Sequence, residues 1–256
     1  MIRGFENMKR IILTTLFLGL LAGQARASVD WESKGMQIAG EILANPAAFL
    51  YEFQQDLEGT TPLPPGKRFG FQTGLWGGAL PTIGVMPSIS GKFRLHGEGR
   101  IAPGLPQLDL IGGYWNSPLA GMAADQSDDI TDTKFNGHYY GFLLSSSVSP
   151  RVRTFWGFKK SQLKAKISFA STADIKLLGT PVNSIDTGFE DSFFVVGLES
   201  PKGLNKLWSI QLNYGMDTQT IASKVSWYGK YFELGLNIYP EGVFVVHPVW
   251  NFHLNF

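Results

Sequence analysis

The sequence predicts an all-β chain: a transmembrane antiparallel β-barrel of about 12 strands, preceded by a short N-terminal amphipathic helix. Three observations lead there. A charged and then apolar leader opens the chain, no later apolar run is long enough for a membrane helix, and from Lys67 onward apolar and polar residues alternate with a period of two. Strands whose side chains alternate between faces cross a bilayer only as a closed ring, because every backbone amide must be paired there.

The leader comes first. "MKRIILTTLFLGLLAGQARA" sets Lys9 and Arg10 before an apolar run from Ile11 to Ala22 and ends in Ala25-Arg26-Ala27, the order of a secretory signal peptide over residues 1–27, with Met8 as a second start. Cleavage after Ala27 removes Arg3, Lys9, Arg10, Arg26 and Glu6, which turns the formal charge of +1 into −2. That balance excludes a nucleic-acid partner. Cysteine is absent, so disulfides, thiolate metal sites, a catalytic thiol and a cysteine lipid anchor are excluded as well.

Residues 28–66 form the second segment. Trp31, Met36, Ile38, Ile42, Leu43, Phe49, Leu50 and Phe53 recur at three- and four-residue spacings, which predicts a helix from Val29 to Leu57 interrupted at Pro46. "EGTTPLPPG" then reads as a stiff proline linker.

The barrel is expected over residues 67–256, with strands at 68–77, 88–101, 106–116, 136–149, 151–159, 162–171, 173–179, 191–200, 205–217, 219–229, 230–239 and 243–256. Twelve is an even number, as a single-chain bacterial barrel requires, and ten and fourteen are the neighbouring even counts. The long breaks at 77–87, 117–135 and 179–190 all follow odd-numbered strands, so they share one side of the membrane.

Each strand divides into two faces. In "SGKFRLHGEGRI" the residues Lys92, Arg94, His96, Glu98 and Arg100 oppose Phe93, Leu95 and Ile101; in "SQLKAKISF" Lys164 and Lys166 oppose Leu163 and Ile167. Taking the polar face as the lumen wall, the expected lining is Lys92, Arg94, His96, Glu98, Arg100, Asp109, Lys164, Lys166, Lys224, Glu233 and His253. Trp76, Tyr114, Trp115, Trp227 and Tyr228 fall near strand ends, where aromatic girdles sit.

The last strand, "HPVWNFHLNF", puts Trp250, Phe252, Leu254 and Phe256 on one face and Asn251, His253 and Asn255 on the other. With the leader, the absence of cysteine and the even alternation, it resembles the bacterial outer-membrane β-barrel proteins. The resemblance implies the outer membrane of a Gram-negative cell, outer-membrane lipid around the barrel, and recognition of the terminal phenylalanine strand by the barrel-assembly machinery. It implies no activity. A secreted soluble β-sandwich or barrel also has one apolar strand face and stays open as an alternative.

Chemistry is hard to find in the sequence. Outer-membrane phospholipases and lipid A deacylases set a histidine two residues before a serine, whereas His253 is followed by Leu254 and Asn255, and His138 by Tyr139 and Tyr140. His247 and His253 share a strand face but lie roughly 20 Å apart, too far for one metal ion. Asp125, Asp128, Asp129 and Asp132 lack the glycine and terminal glutamate of a calcium-binding EF-hand loop and read as a solvated loop. "NPA" at Asn45, Pro46 and Ala47 resembles a stretch near the start of long-chain fatty-acid transporters, but three residues do not carry that family's function over.

The expectation is therefore a protein with no cofactor, no metal and no enzymatic constellation, serving as a narrow porin-like channel or transporter for an unnamed small solute. The N-terminal helix is expected as its plug. A non-conducting barrel that works through its loops, and a lipid-modifying enzyme with an unrecognised site, remain as alternatives.

Overall fold

The computed structural model describes residues 46–76, 86–116, 130–170, 176–177, 180–181, 183–200, 207–242 and 245–256. The expected signal peptide, the helix over residues 29–45, and Asp125, Asp128 and Asp129 lie outside these residues. Helix α1 runs over Pro46–Leu57. Proline heads this span, a place where a helix tolerates the missing N–H.

Ten strands follow: β1 (Phe69–Trp76), β2 (Met86–His96), β3 (Gln107–Asn116), β4 (Ile130–Ser147), β5 (Arg153–Phe169), β6 (Ser184–Ser200), β7 (Leu207–Gly215), β8 (Ile221–Tyr228), β9 (Phe232–Ile238) and β10 (Val246–Asn255). They close into one antiparallel barrel in which each strand pairs with its neighbours in the chain and β10 returns to β1. The seam registers Gly70 with Asn255 through Gly74 with Asn251. The last residue extends it, since Phe69 and Phe256 exchange backbone hydrogen bonds. No helix among the described residues is long and apolar enough to cross a membrane.

The count is ten rather than about twelve, for two reasons. The expected strands 151–159 and 162–171 are one continuous strand, β5, paired along its whole length with β4 and β6. The expected strand 173–179 contributes only Lys176–Leu177, which pairs with Thr180–Pro181 in a small ladder outside the barrel. Losing two strands preserves parity, so the connections at 77–85, 117–129 and 170–183 still share one end, here called the loop end. The other, terminal end carries the start of β1 and the end of β10.

Strand lengths fall into two groups. Most strands have 7 to 11 residues, close to the number needed to cross a bilayer at a tilt. β4, β5 and β6 have 17 or 18 and extend as a three-stranded ribbon beyond the ring.

Period-two alternation is strict around most of the ring. Phe71, Ile89, Phe93, Leu110, Phe142, Phe158, Val196, Ile210, Leu212, Leu234, Leu236 and Phe252 all point outward and are exposed. Glu233, Asp109, Ser145, Ser161, Gln211 and Asn213 point inward and are buried. An exposed apolar belt of this extent is foreign to soluble monomers, whose largest apolar patch is small.

Candidate lumen site and its internal strap

The interior is occupied by the chain itself. From Tyr51 to Pro64 every residue with a described side chain is buried, including Glu52, Gln54, Gln55, Asp56 and Glu58. Their partners lie on β2, β3, β4, β5, β7, β9 and β10, nearly all round the ring, so this stretch is a strap through the lumen. "EGTTPLPPG", which the sequence reads as a stiff proline linker, thus sits largely inside the barrel.

The strap has a direction. Glu52 lies beside Gly242, and Tyr239 Oη donates to the Glu52 carbonyl at 2.9 Å and to Asp56 at 2.8 Å, in the β9–β10 connection at the loop end. Burial, and then the Asp56 charge, hold the Tyr239 phenol well above its ordinary pKa, so it stays a neutral donor. Leu63 is the far anchor, close to the terminal end: its N–H donates to Asp109 Oδ2 at 2.7 Å. Its carbonyl accepts from Arg94 Nη2 at 3.0 Å, Arg153 Nη1 at 2.8 Å and Gln107 Nε2 at 2.9 Å.

Between these anchors the contacts are polar and largely charge-assisted. Lys159 Nζ donates to Glu58 and, at 2.6 Å, to Gln55 Oε1, while Ser161 Oγ and Gln54 Nε2 also donate to Glu58. Lys92 Nζ donates to the Thr61 carbonyl at 2.7 Å and to its hydroxyl at 2.8 Å. His247 lies between two strap carboxylates, 2.6 Å from Asp56 Oδ2 and 3.2 Å from Glu52 Oε2. Thr60 exchanges hydrogen bonds with Gln211, and Trp115 Nε1 donates to Gln54.

One glycine is required by this packing. A Cβ at Gly137 would strike Gln54 Oε1 and the Trp115 indole, so β4 lets α1 approach only because the side chain is missing.

The wall also pairs within itself. Arg153 donates to Glu199 at 2.5 Å, Arg94 Nε lies 3.4 Å from Asp109, and Lys224 lies 2.6 Å from Glu233. Glu233 further accepts from Ser226, Tyr228, Asn251 and Gln72. Asp191 accepts from the backbone N–H groups of Ser192, Asp217 and Thr218, which ties down the β7–β8 turn. Between strap and wall, near Lys92 and His253, lies a cavity of ≈ 20 Å³, room for about one water molecule.

The sequence-expected wall residues fall into three places. Lys92, Arg94, Asp109, Lys224, Glu233 and His253 point inward and are buried. His96 sits at the terminal mouth, and Glu98 and Arg100 lie exposed in the β2–β3 turn, where Glu98 accepts from Ser146 and Ser147. Lys164 and Lys166 stand on the outward row of β5. Because β5 is unbroken, the parity set by Arg153, Lys159 and Ser161 carries through to Leu163 inside and Lys164 outside, and Lys166 meets Asp132 at 3.7 Å on the exposed ribbon.

Of the expected girdle residues, Tyr114 faces outward, whereas Trp115 and Tyr228 face inward onto Gln54 and Glu233. The Trp76 side chain lies outside the described residues. In the last strand Trp250, Phe252 and Phe256 are exposed and Leu254 is half-buried on the same row. His253 points inward, its ring 3.1 Å from the Gly229 carbonyl.

Sequence reading missed Arg153, Lys159, Asp191, Glu199 and the strap acids Glu52, Asp56 and Glu58. The signal was parity counted through "RTFWGFKKSQL", which puts Arg153 and Lys159 on the row that includes Ser161. Fold and interior together define a closed ten-stranded antiparallel barrel with an apolar exterior and a charged interior filled by its own N-terminal strap. No protein-family model matches the chain, and neither the curated proteins nor the solved structures contain a match.

Proposed function

We propose that this chain is an outer-membrane β-barrel acting as a narrow channel for small polar solutes, and that the described conformation is its closed state. The observation that carries this reading is the chemistry of the interface inside the ring. Tyr51, at the start of the strap, packs on an inward apolar cluster with Phe155, Phe193 and Val195. From Glu52 to Leu63, by contrast, the strap meets the wall mainly through hydrogen bonds and ion pairs. A permanent filler has no need of ion pairs, because replacing buried ion pairs by packed hydrophobic residues is often neutral or stabilising. A polar wall can exchange the strap for water when the strap leaves.

The exposed apolar belt supports residence in lipid, and the outward row turns from Phe142, Phe158 and Val196 to Lys160, Lys164 and Glu190 as β4–β6 leave the ring. That change is expected where strands rise out of the hydrocarbon. A signal peptide over residues 1–27, insertion by the barrel-assembly machinery through Trp250, Phe252, Leu254 and Phe256, and a non-enzymatic role belong to the same reading.

A second reading is favoured by the number of bonds the strap makes: the barrel never opens and the strap is its core. Single-channel recording separates the two. The test protein is the full chain with a protease site inserted at Pro65–Gly66, which are exposed, cut after folding in planar bilayers. Conductance that appears or rises on cutting supports the channel; folded barrel without conductance before and after cutting refutes it.

A further inference from the structure

The charges inside the ring are not balanced between wall and strap. Among the described residues the inward wall carries Lys92, Arg94, Arg153, Lys159 and Lys224 against Asp109, Asp191, Glu199 and Glu233. Three of those carboxylates are matched within the wall by Arg94, Arg153 and Lys224, and Asp191 is capped by backbone N–H groups. The polar bonds of Lys92 and Lys159 go to the strap, to Thr61 in one case and to Gln55 and Glu58 in the other. His247 likewise faces Asp56 and Glu52. The strap residues 51–64 contribute three carboxylates and no cation.

We propose that the open lumen is selective for small anions, and that the strap closes it as an internal anion, its Glu58 carboxylate standing on Lys159 where an anionic group of the solute would bind. The inference rests on the channel reading above and names the solute class for that same lumen. When the strap withdraws, neutral donors such as Ser161, Trp115 and Tyr239 lose acceptors that water can replace, whereas at Lys92 and Lys159 the loss exposes a cation with no carboxylate bonded to it from the wall. Both ammonium groups are buried by the strap and face the lumen, so they become binding points along the path rather than surface charges. Rings of lysine and arginine select anions in pores by this means.

The terminal mouth continues the pattern. A cleft of ≈ 950 Å³ there is lined by Arg68, Arg94, His96 and Arg100, with one carboxylate, Glu98, already engaged by Ser146 and Ser147. A cationic funnel of that sort raises the local concentration of anions before they reach Lys92.

Reversal potentials in a potassium chloride gradient test the inference. Two full-length forms serve: the chain cut at Pro65–Gly66 after folding, and E52Q/D56N/E58Q, in which the strap loses its charge. Heat-modifiable gel migration checks that each is folded. The expected result is a chloride-to-potassium permeability ratio severalfold above one, which K92Q/K159Q on either background brings down to one or below. Conductance that is unselective or favours potassium overturns the anion inference and leaves the channel reading standing. Folded barrels without conductance in both forms overturn both.

Discussion

Lys159 offers the sharpest measurement of how firmly the strap is held. Its side chain is 0% exposed and that of Glu58 is 1% exposed, so solvent does not screen the pair. Substituting Lys159→Met leaves a buried carboxylate that keeps Ser161 and Gln54 as donors but has lost its counter-charge. Breaking one side of a buried ion pair costs about 3–5 kcal/mol, and the two surviving donors favour the lower figure. About 3 kcal/mol corresponds to roughly a hundredfold shift in the equilibrium between docked and free strap. Amide hydrogen exchange in detergent micelles reads it directly: protection of residues 51–64 should fall by about that factor in K159M while β7 to β9 keep theirs. The double variant E58Q/K159M should recover most of the loss, because the stranded charge has gone. Lys160 is the control, since its pair with Glu190 is about half-exposed and K160M should leave exchange of the strap unchanged. Unaltered exchange in K159M, or a double variant as open as the sum of its singles, would refute the view that this pair latches the strap.

Further expectations concern the ring. Leu212→Arg on the outward row should cost about 2–4 kcal/mol in a lipid-embedded barrel, read by urea titration in vesicles, whereas a water-facing Leu212 would tolerate it. Trp115→Phe removes the indole N–H that donates to Gln54, with an expected loss of about 1 kcal/mol in strap docking by the same exchange measurement. Gly137→Val should displace α1 at the level of Gln54 and, if the proposed channel reading holds, give conductance without proteolysis. Tyr239→Phe should loosen only the loop-end anchor, so exchange at Glu52 to Asp56 rises before exchange at Thr60 to Leu63 does.

The ring itself was legible because its alternation is enforced twice. In β7, "LWSIQLNYG" puts Trp208, Ile210, Leu212 and Tyr214 outside and Ser209, Gln211 and Asn213 inside, and the hydropathy says so residue by residue. β5 defeats that rule. Lys159-Lys160-Ser161 looks like a turn, yet Lys159 goes inward to a carboxylate 101 positions earlier and Lys160 goes outward to Glu190. Beyond them the strand leaves the ring, its outside is polar as well, and a charged residue no longer marks the lumen; hence Lys164 and Lys166 were assigned to the wrong face. The strap was illegible for a related reason. Thr60, Thr61 and Glu58 have the composition of a loop, and only the charged wall that receives them makes burial tolerable.

The seam between β1 and β10 has a consequence for the order of events in folding. Its ladder runs only from Gly70 to Gly74, while β4 and β5 are registered from Ile130 to Ser147 and join residues close in sequence. Local pairings of that kind form early, whereas joining the first strand to the last carries the largest loop-closure cost. The strap is separated from β1 by only Pro65 to Arg68, so it is carried to the sheet with the very strand that completes the ring. Drawing it afterwards through a closed ring would drag Glu52, Asp56 and Glu58 past every wall side chain. A still-open, curved sheet can instead wrap around it, with Lys159, Lys92 and His247 gathering the strap as the edges approach. The lumen would then never exist empty during biogenesis, and a strap-deleted chain would be expected to close more slowly as well as to leak.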